Sequence, residues 1–318
     1  EMRGSFPRVP VDDIAIHPRD NDLILGTYGR SIWVLDDIKP LENLSDAVLA
    51  AKLHVFPIRD AINYRLFHYK GHPGHKVFLA ENPPHAPIHY YLSEPKAVKV
   101  TVTDATGQVV RTMEGSNHIG LNRTNWDLRY DEAIPTEPTE GSHAPEGLEE
   151  GRQNGNMEAI NLLRPRVLPG TYTVRVEAGS ESAERAVIVT DDPNVRVSDS
   201  DRRAHLDALL ELRRLITEMH EAHKQAVAWT EQLNGLEATL DDAPETVTTT
   251  FAAAKTSVSE LERLLSRDEG RRLTFGGASG PLYQRLMRLY GILDTYTEAP
   301  NAQRQAQIAS MSRELNER

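Results

Sequence analysis

The sequence contains no cysteine, which excludes disulfides, thiolate metal sites and cysteine nucleophiles together. It also lacks any apolar run near the ~20 residues that a membrane-spanning helix requires, so no membrane span is expected. Cations are in deficit: 36 Lys and Arg against 47 Asp and Glu give a formal charge of −11. A phosphate-rich partner would meet net repulsion, and no local basic face offsets it, so nucleic acid is not expected as a ligand. What is present is 318 residues, 39% hydrophobic and 26% charged, enough for two or three soluble, globular domains. The chain opens at Glu1, without a basic-then-apolar leader, and strand-like sequence starts within the first dozen positions. The expectation is a piece of a longer protein whose beginning lies upstream.

Short strands with turn residues between them come first. Residues 11–17 end at Pro18, residues 23–27 follow a polar turn, and residues 31–35 follow a turn centred on Gly29, which together predict a three-strand meander. Ile32 and Val34 alternate with Trp33, so at least one face is apolar enough to pack on another sheet. Three strands are marginal alone, and their natural context is a repeating all-β body such as a propeller. The stretch from Pro40 to Tyr69 loosens into a connector, with a helical turn at residues 44–52. A second β region then offers seven segments, at 77–80, 88–92, 98–103, 109–113, 124–128, 171–176 and 186–190, a pattern that suggests a sandwich. Val98, Val100 and Val102 alternate with Lys99, Thr101 and Thr103, as a sheet with one dry and one wet face requires. Residues 132–163 interrupt this region with Pro, Gly and Glu and no sustained period, which predicts a long surface excursion.

From Ser198 the apolar period changes from two to about three and a half. Leu209, Leu212, Ile216, Met219, His223, Ala226, Thr230 and Leu233 form one stripe, and Val247, Phe251, Ala254, Val258, Leu261 and Leu265 a second. Leu282, Leu286, Leu289, Leu293 and Tyr296 give a third, and Ile308, Met311 and Leu315 a fourth. Each helix is amphipathic and must hide one face against the others, which predicts an antiparallel bundle.

Several runs match a known family. Val11-Asp12-Asp13-Ile14-Ala15-Ile16-His17-Pro18, then Leu25-Gly26-Thr27-Tyr28-Gly29-Arg30-Ser31-Ile32-Trp33-Val34-Leu35-Asp36-Asp37, resembles the closing blade of bacterial sialidase-like, sortilin-type β-propeller proteins, a glycosyl-hydrolase-labelled family with BNR repeats. Asn82-Pro83-Pro84 with Tyr90-Tyr91-Leu92, Gly120-Leu121-Asn122-Arg123 with Trp126-Asp127-Leu128-Arg129, and Leu168-Pro169-Gly170-Thr171-Tyr172 resemble the immunoglobulin-like module that follows the propeller, and the helical tail fits as well. The resemblance implies a multidomain β plus α chain. Its parts are a partial β-propeller blade with connector at residues 1–57, an immunoglobulin-like β-sandwich at 58–192 with its insertion at 132–163, and a C-terminal antiparallel helical bundle at 198–318. It implies upstream propeller blades as neighbours, a protein or glycan partner, and an extracellular, periplasmic or cell-envelope location. It carries over no catalytic residue, because a sialidase-type site draws an arginine cluster, an acid and a nucleophile from several blades.

His68, His72, His75, His85 and His89 fall in one stretch, and imidazole is the commonest ligand for zinc, copper or nickel, so His72, His75, His85 and His89 are metal candidates. No cysteine or helical-offset carboxylate joins them, which favours a wet histidine-rich loop and no cofactor. Adjacent pairs such as Asp36-Asp37, Asp12-Asp13 and Glu149-Glu150 face opposite sides of a strand, so they do not make the opposed carboxylates of a glycosidase. The loop Gly276-Gly277-Ala278-Ser279-Gly280 lacks the Lys-Ser/Thr ending of a phosphate cradle. Trp33 and Trp126, with Arg30 and Arg129 beside them, are the candidates for carbohydrate or interface contact, against a competing reading as core aromatics and ion pairs.

Overall fold

The computed structural model describes residues 9–29, 31–64, 85–133, 163–237, 239–240, 243–265 and 282–317. The chain combines several β-sheets with helices and divides into two units. One comprises Glu1–Leu128 with Pro169–Asp191, the other Arg129–Leu168 with Asp192–Arg318.

The first unit begins with β1 (Val11–Ile16), β2 (Leu23–Thr27) and β3 (Ile32–Leu35), an antiparallel sheet in that order. The β1–β2 turn closes where the His17 N–H donates to Asp22 O at 2.8 Å and the Asn21 N–H to His17 O at 2.9 Å. Asn21 takes a φ of +58°, a left-handed conformation that asparagine tolerates better than most residues. Two short helices follow, α1 (Lys39–Glu42) and α2 (Asp46–Ala50), the second capped by the Ser45 hydroxyl accepting from the Val48 N–H. The connector then contributes β4 (Leu53–Val55) and β5 (Ala61–Asn63). A boundary at residue 57 thus falls just after a strand whose pairing partner lies beyond it.

Two larger sheets complete this unit. β6 (Ala86–Leu92) pairs antiparallel with β4 on one side and with β9 (Gly120–Trp126) on the other. The second sheet has the order β5-β11-β10-β7-β8, with β7 (Val98–Thr103), β8 (Val109–Gly115), β10 (Gly170–Ala178) and β11 (Glu181–Asp191). All its pairings are antiparallel except β5 with β11. The period-two pattern explains the register: Val98, Val100 and Val102 lie opposite Ala178, Val176 and Val174, and all six are buried. On the other sheet Ala86, Ile88, Tyr90, Leu92 and Trp126 are fully buried, and the Trp126 ring meets Tyr172 of β10 edge-on at 5.2 Å. Packing is close at Gly115, where an added Cβ would lie 2.6 Å from the Tyr90 hydroxyl and 2.6 Å from a Val98 methyl. The Asp104 turn takes the expected form, with Asp104 Oδ1 accepting from the Thr106 and Gln108 N–H groups and Gly107 at φ +82°. The expected strand at 77–80 lies outside the described residues, as does most of the 132–163 excursion.

The second unit is built on α3 (Asp199–Glu237), α4 (Glu245–Leu265), α5 (Leu282–Leu293) and α6 (Ala302–Asn316). Ser198 starts α3 by accepting the Asp201 N–H at 3.1 Å, and Asn301 starts α6 by accepting the Arg304 N–H at 3.0 Å. Side-chain pairs fix the directions. Thr230 bonds Glu262 and Glu237 bonds Lys255, so α4 runs antiparallel to α3; Arg285 bonds Glu314, as antiparallel α5 and α6 allow. Leu209, Leu212, Ile216 and Met219 meet Leu265, Leu286, Leu289, Leu293, Ile308 and Met311 in one apolar core. The expected stripes run on past that core. Beyond Met219 the buried part of α3 is reduced to Ala226, and Trp229, Leu236 and Val247 are exposed, because no third described helix covers that length of α3 and α4. Residues 129–133 and 163–168 belong to this unit; they pair with each other through the Arg129–Arg166 bridge and the Tyr130 N–H donating to Pro165 O at 3.0 Å, and Leu163 joins the helical core.

Candidate functional site

The polar residues of the first unit converge on the side of β6 and β9 opposite the Trp126–Tyr90 core. Strand alternation puts His89 there, and the pairing of β6 with β9 sets Arg123 directly across from it. Arg123 then makes three kinds of contact. Its Nη1 and Nη2 lie 3.3 and 3.4 Å from Asp36 Oδ2, its Nη2 lies 3.0 Å from His85 Nε2, and its Nε donates to Asn125 Oδ1 at 2.9 Å. Asp36 stands at the end of β3, so this guanidinium ties the meander to the β4-β6-β9 sheet. Arg59 makes a second tie, donating to Asp20 O at 3.0 Å and lying 3.9 Å from Asp22. Asp22 in turn accepts the Asp37 N–H at 3.0 Å, which holds the buried Asp37 in a left-handed conformation at φ +52°.

The electrostatics of the two histidines follow from this packing. Burial lowers the pKa of His85 and of His89 to about 4, Arg123 and Arg59 push in the same direction, and Asp36 opposes for both rings, joined by Asp37 at His89. Both rings are therefore neutral at pH 7. An arginine nitrogen only donates, so His85 Nε2 is the acceptor and its proton sits on Nδ1, a buried atom with no acceptor among the described residues. A guanidinium on the Nε2 lone pair also takes the position that a metal would need. Among the described residues no group of three or more His, Asp or Glu side chains is disposed to hold a metal ion. His72 and His75 lie outside the described residues, as do His68, Arg30, Glu149-Glu150 and the glycine-rich loop at 276–280. The adjacent carboxylates part company as strand geometry requires: Asp36 turns to Arg123, and Asp37 accepts the Lys39 N–H at 3.3 Å. Apart from His85 Nδ1, the cluster is an arrangement of donors and acceptors bonded to one another, and among the described residues no nucleophile in it is placed against a base.

The aromatic and arginine candidates are scattered. Trp33 is half-buried on β3, Trp126 is fully buried with its ring against Tyr172, and Trp229 is exposed on α3. Arg129 belongs to the second unit, where its Nη1 donates to Arg164 O at 2.6 Å and lies 3.5 Å from Asp294, just past the end of α5. Arg59 was not singled out by sequence reasoning, while Arg123 entered only as part of a motif and Asp36 only as half of an adjacent carboxylate pair. Only the β6–β9 register, pairing His89 with Arg123, would have drawn attention to them.

No protein-family model matches this chain, and no curated protein sequence matches it. Among solved structures it is similar to dimeric latent PorU from Porphyromonas gingivalis, at 13% identity and a TM-score of 0.21, over 54% of this chain and 12% of that one. The chain thus spans about an eighth of that protein's length, and similarity at this level identifies neither a family nor an activity.

Proposed function

We propose that this chain is the non-catalytic, C-terminal scaffold and interaction region of a sialidase-like or sortilin-type β-propeller protein. On this reading β1, β2 and β3 are its terminal blade. The β5-β11-β10-β7-β8 and β4-β6-β9 sheets form an immunoglobulin-like sandwich that braces the blade through Arg123 and Arg59, and α3 to α6 form a bundle that presents surface to a protein or glycan partner. Glycosidic chemistry, where the longer protein has it, belongs to blades upstream of Glu1, in an extracellular or cell-envelope setting.

The observation that carries this reading is a meander with exposed large apolar residues on both faces. One face holds Ile14, Leu25 and Trp33 with Ile16, Leu23 and Leu35; the other holds Ala15, Ile24 and Val34 with Gly26, Ile32 and one carboxylate, Asp13. Ile14 is 63% exposed and Ile16 52% on the first face, and Ile32 is 68% exposed and Val34 52% on the second. An antiparallel sheet at the edge of a finished domain keeps a polar outer face. One that carries apolar residues on both sides, with only Leu25 buried among them, suits a place between other sheets, as in a blade.

The test is Ile32→Lys with Val34→Glu, made in this chain and in the product that continues upstream of Glu1. In the chain alone the pair should change unfolding free energy by no more than about 0.5 kcal/mol. In the longer product, where the two charges would be buried, it should cost at least ~2 kcal/mol. Equal, small effects in both proteins would defeat the proposal.

A further inference from the structure

The helical core of the second unit ends well before its two longest helices do. α3 runs about 58 Å, whereas α5 runs about 18 Å and α6 about 22 Å. The end of α5 is pinned near the start of α3, where His205 Nε2 lies 2.8 Å from Leu293 O, and the core that α3 forms with α5 closes at Met219. Farther along, α4 accompanies α3, held by Thr230 donating to Glu262 at 2.8 Å and Lys255 donating to Glu237 at 2.6 Å.

The apolar pattern does not stop with the core. On α3 it continues in steps of seven from the buried Leu215 through Ala222 and Trp229 to Leu236; on α4 it continues from Leu261, packed against the core, through Ala254 to Val247. Residues seven apart share one side of a helix, so both stripes leave the core on the side that packs against it. Ala222, Trp229, Leu236, Ala254 and Val247 are all exposed. Every Asp, Glu, Lys and Arg of residues 220–237 and 245–260 lies off these stripes by about 100° or more round its helix. The result is an uncharged, apolar strip on a chain whose formal charge is −11.

Charge and area select what covers it. Two chains of charge −11 repel over most of their surfaces, and this strip is where the repulsion is least. A basic partner, drawn to carboxylates, finds none on it. From Met219 to its end α3 is about 27 Å long, and α4 from its start to Leu261 is about 24 Å. With each strip about 10 Å wide, two copies would bury on the order of 1,000 Å². That is just under the ~1,200 Å² at which stable interfaces begin, and it suits a weak dimer.

We propose that two copies of this chain associate through the strip of Trp229, Leu236, Val247 and Ala254, with Trp229 as the anchor. They meet antiparallel, because α5 occupies the same side of α3 before Met219 and would collide with its counterpart in a parallel pair. The dilute chain is monomeric, with Trp229 exposed. This surface stands apart from the blade reading, since it depends on no sequence upstream of Glu1.

The experiment is sedimentation equilibrium of the whole chain over a roughly hundredfold range of concentration. It is run in the Ile32→Lys with Val34→Glu background, so that contact through the meander is not read as contact through the helices. The mass should climb reversibly from one chain towards two. Trp229→Glu and Ala254→Glu should each weaken association by about tenfold or more, as a charge placed in an apolar contact does. Both positions are exposed, so circular dichroism of the dilute variants should show the parent's helix content. Glu231→Gln, on the opposite side of α3 from Trp229, should leave association unchanged. A mass of one chain at every concentration would overturn the proposal and mean that something other than a copy covers the strip. Association that either glutamate variant leaves intact, or that Glu231→Gln weakens as much, would overturn it too.

Discussion

His89 carries the clearest chemical consequence of the fold at a single residue. It lies on the side of β6 opposite the Trp126–Tyr90 core, yet it is only 7% exposed. With its pKa lowered from 6.5 to about 4 by burial and by Arg123 and Arg59, the ring is neutral in the folded chain at pH values where the unfolded chain would protonate it. The resulting contribution to stability is complete above pH 6.5, is lost as the pH falls from 6.5 towards 4, and is gone below that. The difference between the two pKa values bounds it at about 3 kcal/mol. Urea unfolding at a series of pH values should therefore show His89→Gln with a shallower fall in stability between pH 6.5 and 4 than the parent chain. Parallel slopes would mean that His89 takes up its proton as readily folded as unfolded. This behaviour was not legible in the sequence, where His89 reads as one of five histidines in a wet loop. Its electrostatic surroundings include Asp36, Asp37 and Arg59, residues that only the tertiary fold brings near it.

Elements were far more legible than residues, because periodicity reports which face is buried. The period of two marked β1, β2, β3, β7 and β10, and the period near three and a half marked α3 to α6. β4 and β5 were missed for a physical reason: each is three residues long, and β5 is held by a parallel partner more than a hundred residues away, which no local pattern announces. The start of β9 at Gly120 was missed similarly, since Leu92 of β6 fixes it from outside. Along α3 the period could not say where the stripe stops being covered. Leu212 is fully buried and Trp229 is 43% exposed, although both lie on apolar positions of the same helix. Leu212→Ala should cost about 2–5 kcal/mol by leaving a cavity, whereas Trp229→Ala should cost under about 1 kcal/mol. Chemical denaturation followed by circular dichroism measures both. A large loss at Trp229 would show that the far part of α3 is packed in solution.

At the scale of the whole chain, the polar cluster explains how a sheet with so little cover keeps its place. Asp36 and Asp20 come from the meander and its turn, Arg59 from the loop before β5, and Arg123 from β9, so the tie is assembled from segments distant in sequence. These are half-exposed charges, worth little one at a time in water. They orient the meander; they do not compensate for its exposed apolar residues. The proposal is that sequence preceding Glu1 covers those residues. Amide hydrogen exchange across β1, β2 and β3 tests it most directly, compared between the 318-residue chain and the product that extends upstream. Amides that exchange quickly in the chain alone should become strongly protected in the longer product, while those of β7 and β10 stay unchanged. Identical exchange across the meander in both proteins would contradict the account.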